Sequence, residues 1–395
     1  MLIAFIFEAF PSPSETFLRR EVEALRSLGL DVRAFAWRAG EGALPLPRSP
    51  GLGSRLARRA RGEAWWRDQG TRWARESKAG EAKAGGLKID HIHAAWASFP
   101  AAWASAAARE LKVPWSFSAH ARDLWVEGGD LRAKLGSAAF AAACTRSGAE
   151  RLRSLAARPE RVLYAPHGLP LAQWPRREWQ PYEPARPFQI LSVGRLVPKK
   201  GFDVLLRSLQ LWLSDHPDRA WQATIIGDGP ERARLERLSA ALGLEGRVRF
   251  AGAQSSEAVR ASMLQCDVFV LPCRVARDGD RDGLPNVLLE AGATGVPLIV
   301  GDAGSVRDLC DDSAANRNAW LFAPRDVEAL QGLLSSAWLG LQEHESPWRA
   351  ACERARARVE AGFSSERNVH VLADAFARAA ASRAAGGEGA RFGAK

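Results

Sequence analysis

The chain reads as an α/β protein built from two Rossmann-like, doubly wound domains. Three observations predict this. Short β-rich runs alternate with longer amphipathic runs through nearly the whole length, the pattern of parallel sheets covered by helices. The alternation breaks once, at Pro175–Pro187, which holds four prolines and no apolar periodicity. The length, 395 residues, suits two domains.

In chain order, the first half offers strands at Leu2–Phe7, Asp31–Ala36, Ile89–Ala94, Trp115–Ala119, Ala139–Cys144 and Val162–Tyr164. The second half offers Gln189–Val193, Ala223–Ile226, Val248–Phe250, Val268–Leu271, Pro297–Val300 and Trp320–Phe322. Helical periodicity falls between them, for example at Glu15–Leu28, Phe202–Asp215, Glu231–Leu242 and Val327–Trp338. Right-handed crossovers then put ligand loops at the carboxyl edges of the strands. The expected division is a first domain over 1–174, a stiff linker over 175–187 and a second domain over 188–345. Two further helices over 346–385 and a Gly-rich, disordered tail over 386–395 complete it.

No run of about 18 apolar residues occurs, so no membrane span is expected. The N-terminus lacks a basic start and reaches Glu8 too soon for a signal peptide. The five cysteines are scattered, without a C-x-x-C pair, as for free thiols in a reducing cytoplasm. The net charge of +10 is uneven: residues 1–180 hold 28 Lys and Arg against 18 Asp and Glu, and the remainder balances. Much of the excess lies in Arg48–Lys88, interleaved with Trp65, Trp66 and Trp73. That mixture suits an anionic membrane face, nucleic acid or a solvated helical surface. No compact nucleic-acid-binding motif accompanies it, and no nucleic-acid partner is expected.

The chemistry concentrates in Asp282-Gly283-Leu284-Pro285-Asn286-Val287-Leu288-Leu289-Glu290. Two acids bracket a turn that opens an apolar helix, with Asn286 available to cap it. A helix start carries unpaired N–H groups and a partial positive charge, which suits an anion such as a diphosphate. Upstream, Leu191-Ser192-Val193-Gly194-Arg195 through Pro198-Lys199-Lys200-Gly201-Phe202 reads as strand, glycine turn, cations and helix. Arg195 and Lys200, five positions apart across that turn, can converge on one diphosphate. Ile225-Ile226-Gly227-Asp228-Gly229-Pro230 is another strand and glycine turn. Asp278-Gly279-Asp280 has metal-ligand spacing but sits in a Gly/Arg loop, and no metal is expected. Ser12-Pro13-Ser14-Glu15 fits a capping box with proline first in the helix. His120 follows the Trp115–Ala119 strand, and His91 and His93 share one face of another.

These segments together resemble the retaining glycosyltransferases of the GT-B fold, glycosyltransferase family 4. Pro11–Phe17 and Ser116–Asp123 resemble the exopolysaccharide, colanic-acid-type branch. The resemblance runs from about Met1 to about Ala380. It implies two domains facing across a cleft, with C-terminal helices crossing back to the first. It implies contacts of Arg195 and Lys200 with the donor phosphates, of Glu290 with the ribose hydroxyls, and of Asp282 with the transferred sugar. Asp stands where the family usually has Glu, and the shorter arm can shift sugar preference. Gly283, Leu284, Pro285 and Asn286 are expected along the sugar, and the Asn286, Val287 and Leu288 amides near the diphosphate. Gly194, Gly227 and Gly229 permit close backbone approach. His120 is expected beside the donor sugar, and Glu15 and His93 on the acceptor side. Where the family often continues that strand with another His, this chain has Ala95.

The expected activity is a retaining, metal-independent transfer from a UDP- or GDP-sugar, with no cofactor, to a hydroxyl of a bacterial surface glycan. The acceptor would be lipid-linked, and the enzyme peripheral on the cytoplasmic face of the inner membrane. Two alternatives compete: a non-catalytic nucleotide-sugar-binding assembly protein, and a GT-B-fold epimerase or phosphorylase.

Overall fold

The computed structural model describes residues 1–12, 15–46, 62–78, 87–343 and 346–389. They form two compact units, one of Met1–Gly168 with the segment from Ser365 onward, the other of Leu169–Ser364.

The first unit holds strands β1 (Leu2–Phe10), β2 (Asp31–Ala39), β3 (Ala43–Pro45), β4 (His91–Ala94), β5 (Trp115–Ala119), β6 (Phe140–Ala143) and β7 (Val162–Tyr164). Helices α1 (Thr16–Ser27), α2 (Glu63–Lys78), α3 (Phe99–Leu111), α4 (Leu131–Ser137) and α5 (Arg146–Leu155) accompany them. The sheet is parallel in the order β3-β2-β1-β4-β5-β6-β7. Ile3–Phe7 of β1 is wholly buried, as a strand covered on both faces must be. Strand β3 was not expected; three residues at a sheet edge are too few to show a period.

Two expectations fail in this unit. The α1 helix starts at Thr16 with Glu15 at its N-cap, so proline does not open it; Pro13 and Ser14 lie outside the described residues. The tryptophans of α2 do not form a membrane-facing set. Trp66 and Trp73 are buried against Trp37, Phe99 and Trp103, and Trp65 packs edge-on to Trp66. The cations of α2 face acids: Arg67 with Glu63, Arg72 with Asp68, Arg75 and Lys78 with Glu110. Of the remaining basic residues, Arg48 to Arg61 and Lys83 lie outside the described residues, and Lys88 is exposed. Among those described, no helix is long and apolar enough to cross a membrane.

The second unit holds β8 (Phe188–Val193), β9 (Trp221–Ile226), β10 (Val248–Gly252), β11 (Val268–Leu271), β12 (Leu298–Gly301) and β13 (Trp320–Phe322). Its helices are α6 (Phe202–Asp215), α7 (Arg232–Ala241), α8 (Ser256–Gln265), α9 (Asn286–Thr294), α10 (Val327–Gly340) and α11 (Pro347–Gly362). The parallel order is β10-β9-β8-β11-β12-β13. Winding reverses between β8 and β11, and in such sheets ligands bind at the carboxyl ends of the strands beside the reversal.

The unit boundaries differ from the expected ones. Residues 175–187 are not a free linker: the Arg177 and Tyr182 amides donate to Thr294 and Leu341 carbonyls at 2.9 and 2.6 Å, and Tyr182 is buried. A proline-rich stretch forms little regular structure to pair its N–H groups, and here a neighbouring surface takes two of them. At the other end α11 packs on α9 within the second unit. Only α12 (Ser365–Gly389) joins the first unit, burying Val369, Leu372 and Phe376 beside β1 and α1 residues. It runs through Gly386–Gly389, expected as disordered tail; residues 390–395 lie outside those described. The second unit begins and ends at one place, where Leu169 pairs with Ser364 and donates to the Phe363 carbonyl at 2.8 Å.

Candidate functional site

Two loops meet at the carboxyl ends of β8 and β11. The first leaves β8 through Gly194, whose amide donates to the Ile226 carbonyl at 2.9 Å. It closes in a short 3-10 turn, Pro198–Lys200. The second runs from Pro272 to Pro285 and is laced to the first: the Arg274 amide donates to the Lys199 carbonyl at 2.9 Å, and its guanidinium to the Pro198 carbonyl at 2.7 Å. Gly201 takes a left-handed φ of 66° under the Pro272 carbonyl, where a methyl group would collide. Only glycine lets these loops close together.

That closure builds an ion cluster. Lys200 Nζ lies 2.7 Å from Asp282 Oδ2, and Lys199 Nζ lies 3.4 Å from Asp282 Oδ1 and 3.1 Å from Asp280. The three principal side chains are 11–13% exposed. Burial acts to neutralise Asp282, but the two ammonium groups outweigh it and hold its carboxyl below the ordinary 3.8. Burial likewise works against the Lys200 charge; Asp282 outweighs that, and Lys200 is raised above 10.5. Cys273 Sγ stands 3.5 Å from Asp282, and burial, then that carboxylate, push its thiol up.

The glycines frame the cluster. Gly194 lies under the Lys200 stem, where a Cβ would meet Cε at 3.3 Å. Gly227 has φ 139° and abuts the Gly194 carbonyl, and Gly229 abuts that of Leu196. Arg195 is exposed at the turn, near enough to weigh against the Lys200 charge. Gly283 and Leu284 are half-buried between Asp282 and the buried Pro285.

Helix α9 begins one residue earlier than a capping Asn286 would require. Pro285 is the N-cap and Asn286 the first helical residue, without a side-chain cap bond. The Leu288 amide already donates to the Pro285 carbonyl at 2.9 Å. Asn286 and Val287 therefore present the first-turn N–H groups, and Leu288 does not. Glu290, half-buried, sits one turn along this helix. Fixed cations, an acid and a helix start thus gather beside the winding reversal, an arrangement complementary to an anion that also carries hydroxyls.

In the first unit, His120 stands at the carboxyl end of β5. Its Nε2 faces His167 Nε2 at 3.2 Å, its amide donates to Asp123 Oδ2 at 3.2 Å, and Trp96 lies over its ring at 4.3 Å. Burial lowers its pKa against the pull of Asp123. His93 is a core residue. Its two ring nitrogens meet Ser116 and Ser118 hydroxyls at 2.7 and 3.0 Å, and it is fully buried beside Phe376. This corrects its acceptor-side assignment, since no ring nitrogen is left to reach a ligand. His91 shares the Ser116 hydroxyl, and burial takes it down to about 3. Glu15 marks the start of α1 and is half-buried.

Sequence reasoning missed Lys199 and His167. Lys199 was hidden by its neighbour: nothing in the spacing shows that the two oxygens of Asp282 take one lysine each. His167 follows β7 as His120 follows β5, so its place at a carboxyl edge was the available signal.

Residues 176–350 match the family model described as Glycosyl transferases group 1. A Salmonella typhimurium protein named for colanic acid biosynthesis glycosyltransferase activity is 28% identical over 218 residues, 55% of this chain and 51% of that protein. The amylovoran biosynthesis glycosyltransferase of Erwinia amylovora is 31% identical over 195 residues, 49% of this chain and 46% of its own. A GDP-mannose-dependent alpha-(1-6)-phosphatidylinositol monomannoside mannosyltransferase of Mycolicibacterium smegmatis is 39% identical over 142 residues, 36% of each. The chain spans about half the length of the first two of these relatives. Among solved structures, Anabaena HepE in complex with UDP and glucose superposes with TM-score 0.71 at 18% identity, covering 95% of this chain and 99% of that one. Sucrose-phosphate synthase of Thermosynechococcus elongatus gives 0.72 at 19%, covering 97% and 100%. These likenesses show the fold, two parallel-sheet α/β domains of GT-B type.

Proposed function

We propose, from the premise that residues 176–350 carry a group 1 glycosyl transferase domain, that the protein transfers a sugar from a nucleoside diphosphate to a hydroxyl of a bacterial surface glycan. The observation that carries this reading is the Lys199–Lys200–Asp282 cluster beside the start of α9 at the winding reversal. A departing diphosphate needs its charge met by a metal or by fixed cations and helix amides. Lys200 and Arg195 supply the second kind, with the Asn286 and Val287 amides. Glu290 is assigned to the ribose hydroxyls, Asp282 to the transferred sugar and His120 to the same sugar from the first unit.

Retention follows if the acceptor hydroxyl attacks the anomeric carbon on the face the diphosphate leaves. The bond from that carbon to the phosphate oxygen breaks, the bond to the acceptor oxygen forms, and the leaving phosphate takes the acceptor proton. This step rests on the family resemblance. The polysaccharide names of two relatives support a glycan acceptor, and a lipid-linked one at the inner membrane face is part of the proposal.

The test is a panel of UDP- and GDP-sugars, with both bases because similar proteins are named with GDP-mannose and with UDP and glucose. The readouts are nucleotide release and the anomeric form of the product, with and without glycan acceptor. We expect acceptor-dependent release from one donor and a retained product. Arg195→Ala and Lys200→Ala should each lose about 10²–10³ in turnover, and EDTA should leave the rate unchanged. Nucleotide release without a glycosylated product, or loss in EDTA restored by manganese, contradicts the reading.

A further inference from the structure

We propose that the first unit carries a zinc-type transition-metal site formed by His120, Cys144 and His167. The three stand at the carboxyl ends of adjacent parallel strands, β5, β6 and β7, whose last residues pair as Ala119 with Ala143 and Ala143 with Tyr164. Strand spacing therefore fixes their separation. Their ligand atoms lie within 4.8 Å of one another, and the two imidazole Nε2 atoms are 3.2 Å apart.

That nitrogen separation suits one tetrahedron. Nitrogens about 2.0–2.1 Å from zinc at the tetrahedral angle stand about 3.3 Å apart, and a thiolate binds at about 2.3 Å. A thiol shift of about an ångström completes three ligands. The fourth position stays open to water or a ligand oxygen.

The surroundings match as well. A metal-binding imidazole is held by a carboxylate at its other nitrogen. Here His167 Nδ1 faces Glu21 at 3.7 Å and His120 Nδ1 faces Asp123 at 3.8 Å. Both rings thus turn Nε2 inward and Nδ1 toward an acid. Phe17 covers the pair, 4.2 Å from the His167 ring and 5.3 Å from that of His120. A cavity lined by Arg20, Glu21, Ser365 and Asn368 reaches the His167 ring.

A bound ion would occupy His120 Nε2. On the proposed function, which assigns His120 to the donor sugar, zinc then inhibits transfer by removing that nitrogen. This consequence rests on the functional reading; the binding site itself does not.

Cobalt(II) reports the site directly, because a tetrahedral thiolate complex absorbs strongly in charge-transfer and ligand-field bands. Titration of the full chain should show one cobalt per chain with both band sets, and at least tenfold weaker binding in Cys144→Ser. A second readout uses the unaltered protein. Cys144 is the half-exposed cysteine and the other four are buried, so iodoacetamide should label Cys144 first, and equimolar zinc should slow that labelling at least tenfold. Absence of the cobalt bands, bands unchanged in Cys144→Ser, or labelling indifferent to zinc would overturn the site. In the activity arm, zinc should inhibit the unaltered protein at least tenfold more strongly than Cys144→Ser; equal inhibition overturns the regulatory consequence. If no transfer activity is found at all, the spectral and labelling arms still decide the site.

Discussion

Asp282 holds two lysines, and that changes what its substitution should do. Asp282→Asn leaves Lys200 buried with its charge unmatched, and breaking a buried pair from one side costs roughly 3–5 kcal/mol. We expect a loss near the lower figure, because Lys199 has Asp280 as a second partner, together with a larger loss of sugar transfer than of nucleotide binding. The sign with pH is fixed by the shifts. Asp282 lies below its ordinary 3.8, so its contribution is present above that value and lost as pH falls through the folded one. Lys200 lies above 10.5, so its contribution is present below that value and lost as pH rises through the folded one. Urea unfolding of the two proteins should show a constant gap from about pH 5 to pH 9 that narrows in acid. A gap already closing at neutral pH would remove the pair from the account. The sequence named Asp282 and Lys200 but not their pairing, because spacing along a chain says nothing of which groups meet across 82 positions.

At the scale of the element, all twelve expected strands form, with four at the expected bounds. Most were legible because a strand covered on both faces is nearly apolar throughout; β2 alternates instead, with Asp31 and Arg33 exposed. Helix α2 was not. Its interleaved Trp and Arg are equally consistent with a membrane face and with a core face, and partners distant in sequence decide between them: Trp37, Phe99 and Trp103 take the indoles. Membrane attachment, if the acceptor is lipid-linked, therefore falls to the cations alone. Each Lys or Arg near an anionic surface contributes about 1 kcal/mol within a Debye length of about 8 Å. Co-sedimentation with anionic vesicles should be lost at high salt and when Arg55, Arg58, Arg59 and Arg61 become Glu. Binding to neutral vesicles equal to that on anionic ones would rule this out.

For the whole molecule, the expected boundary lay in the proline-rich stretch, where composition changes. The true exchange lies at Gly168/Leu169 and Ser364/Ser365, where composition does not change, so only the packing of α12 and of residues 175–187 reveals it. Leu169 and Ser364 are partners, which makes the second unit a guest within its host's chain. A guest whose two ends touch can be excised without leaving a torn core, since its apolar clusters draw on Leu169 to Phe363 alone. Residues 169–364 expressed alone should unfold cooperatively and bind the same nucleotide as the full chain; an insoluble or non-cooperative fragment would show that it depends on its host. The host has no such freedom, because its last helix is made after the guest. During synthesis its Phe5–Phe7 core must wait for Phe376, so the half that begins first is completed last.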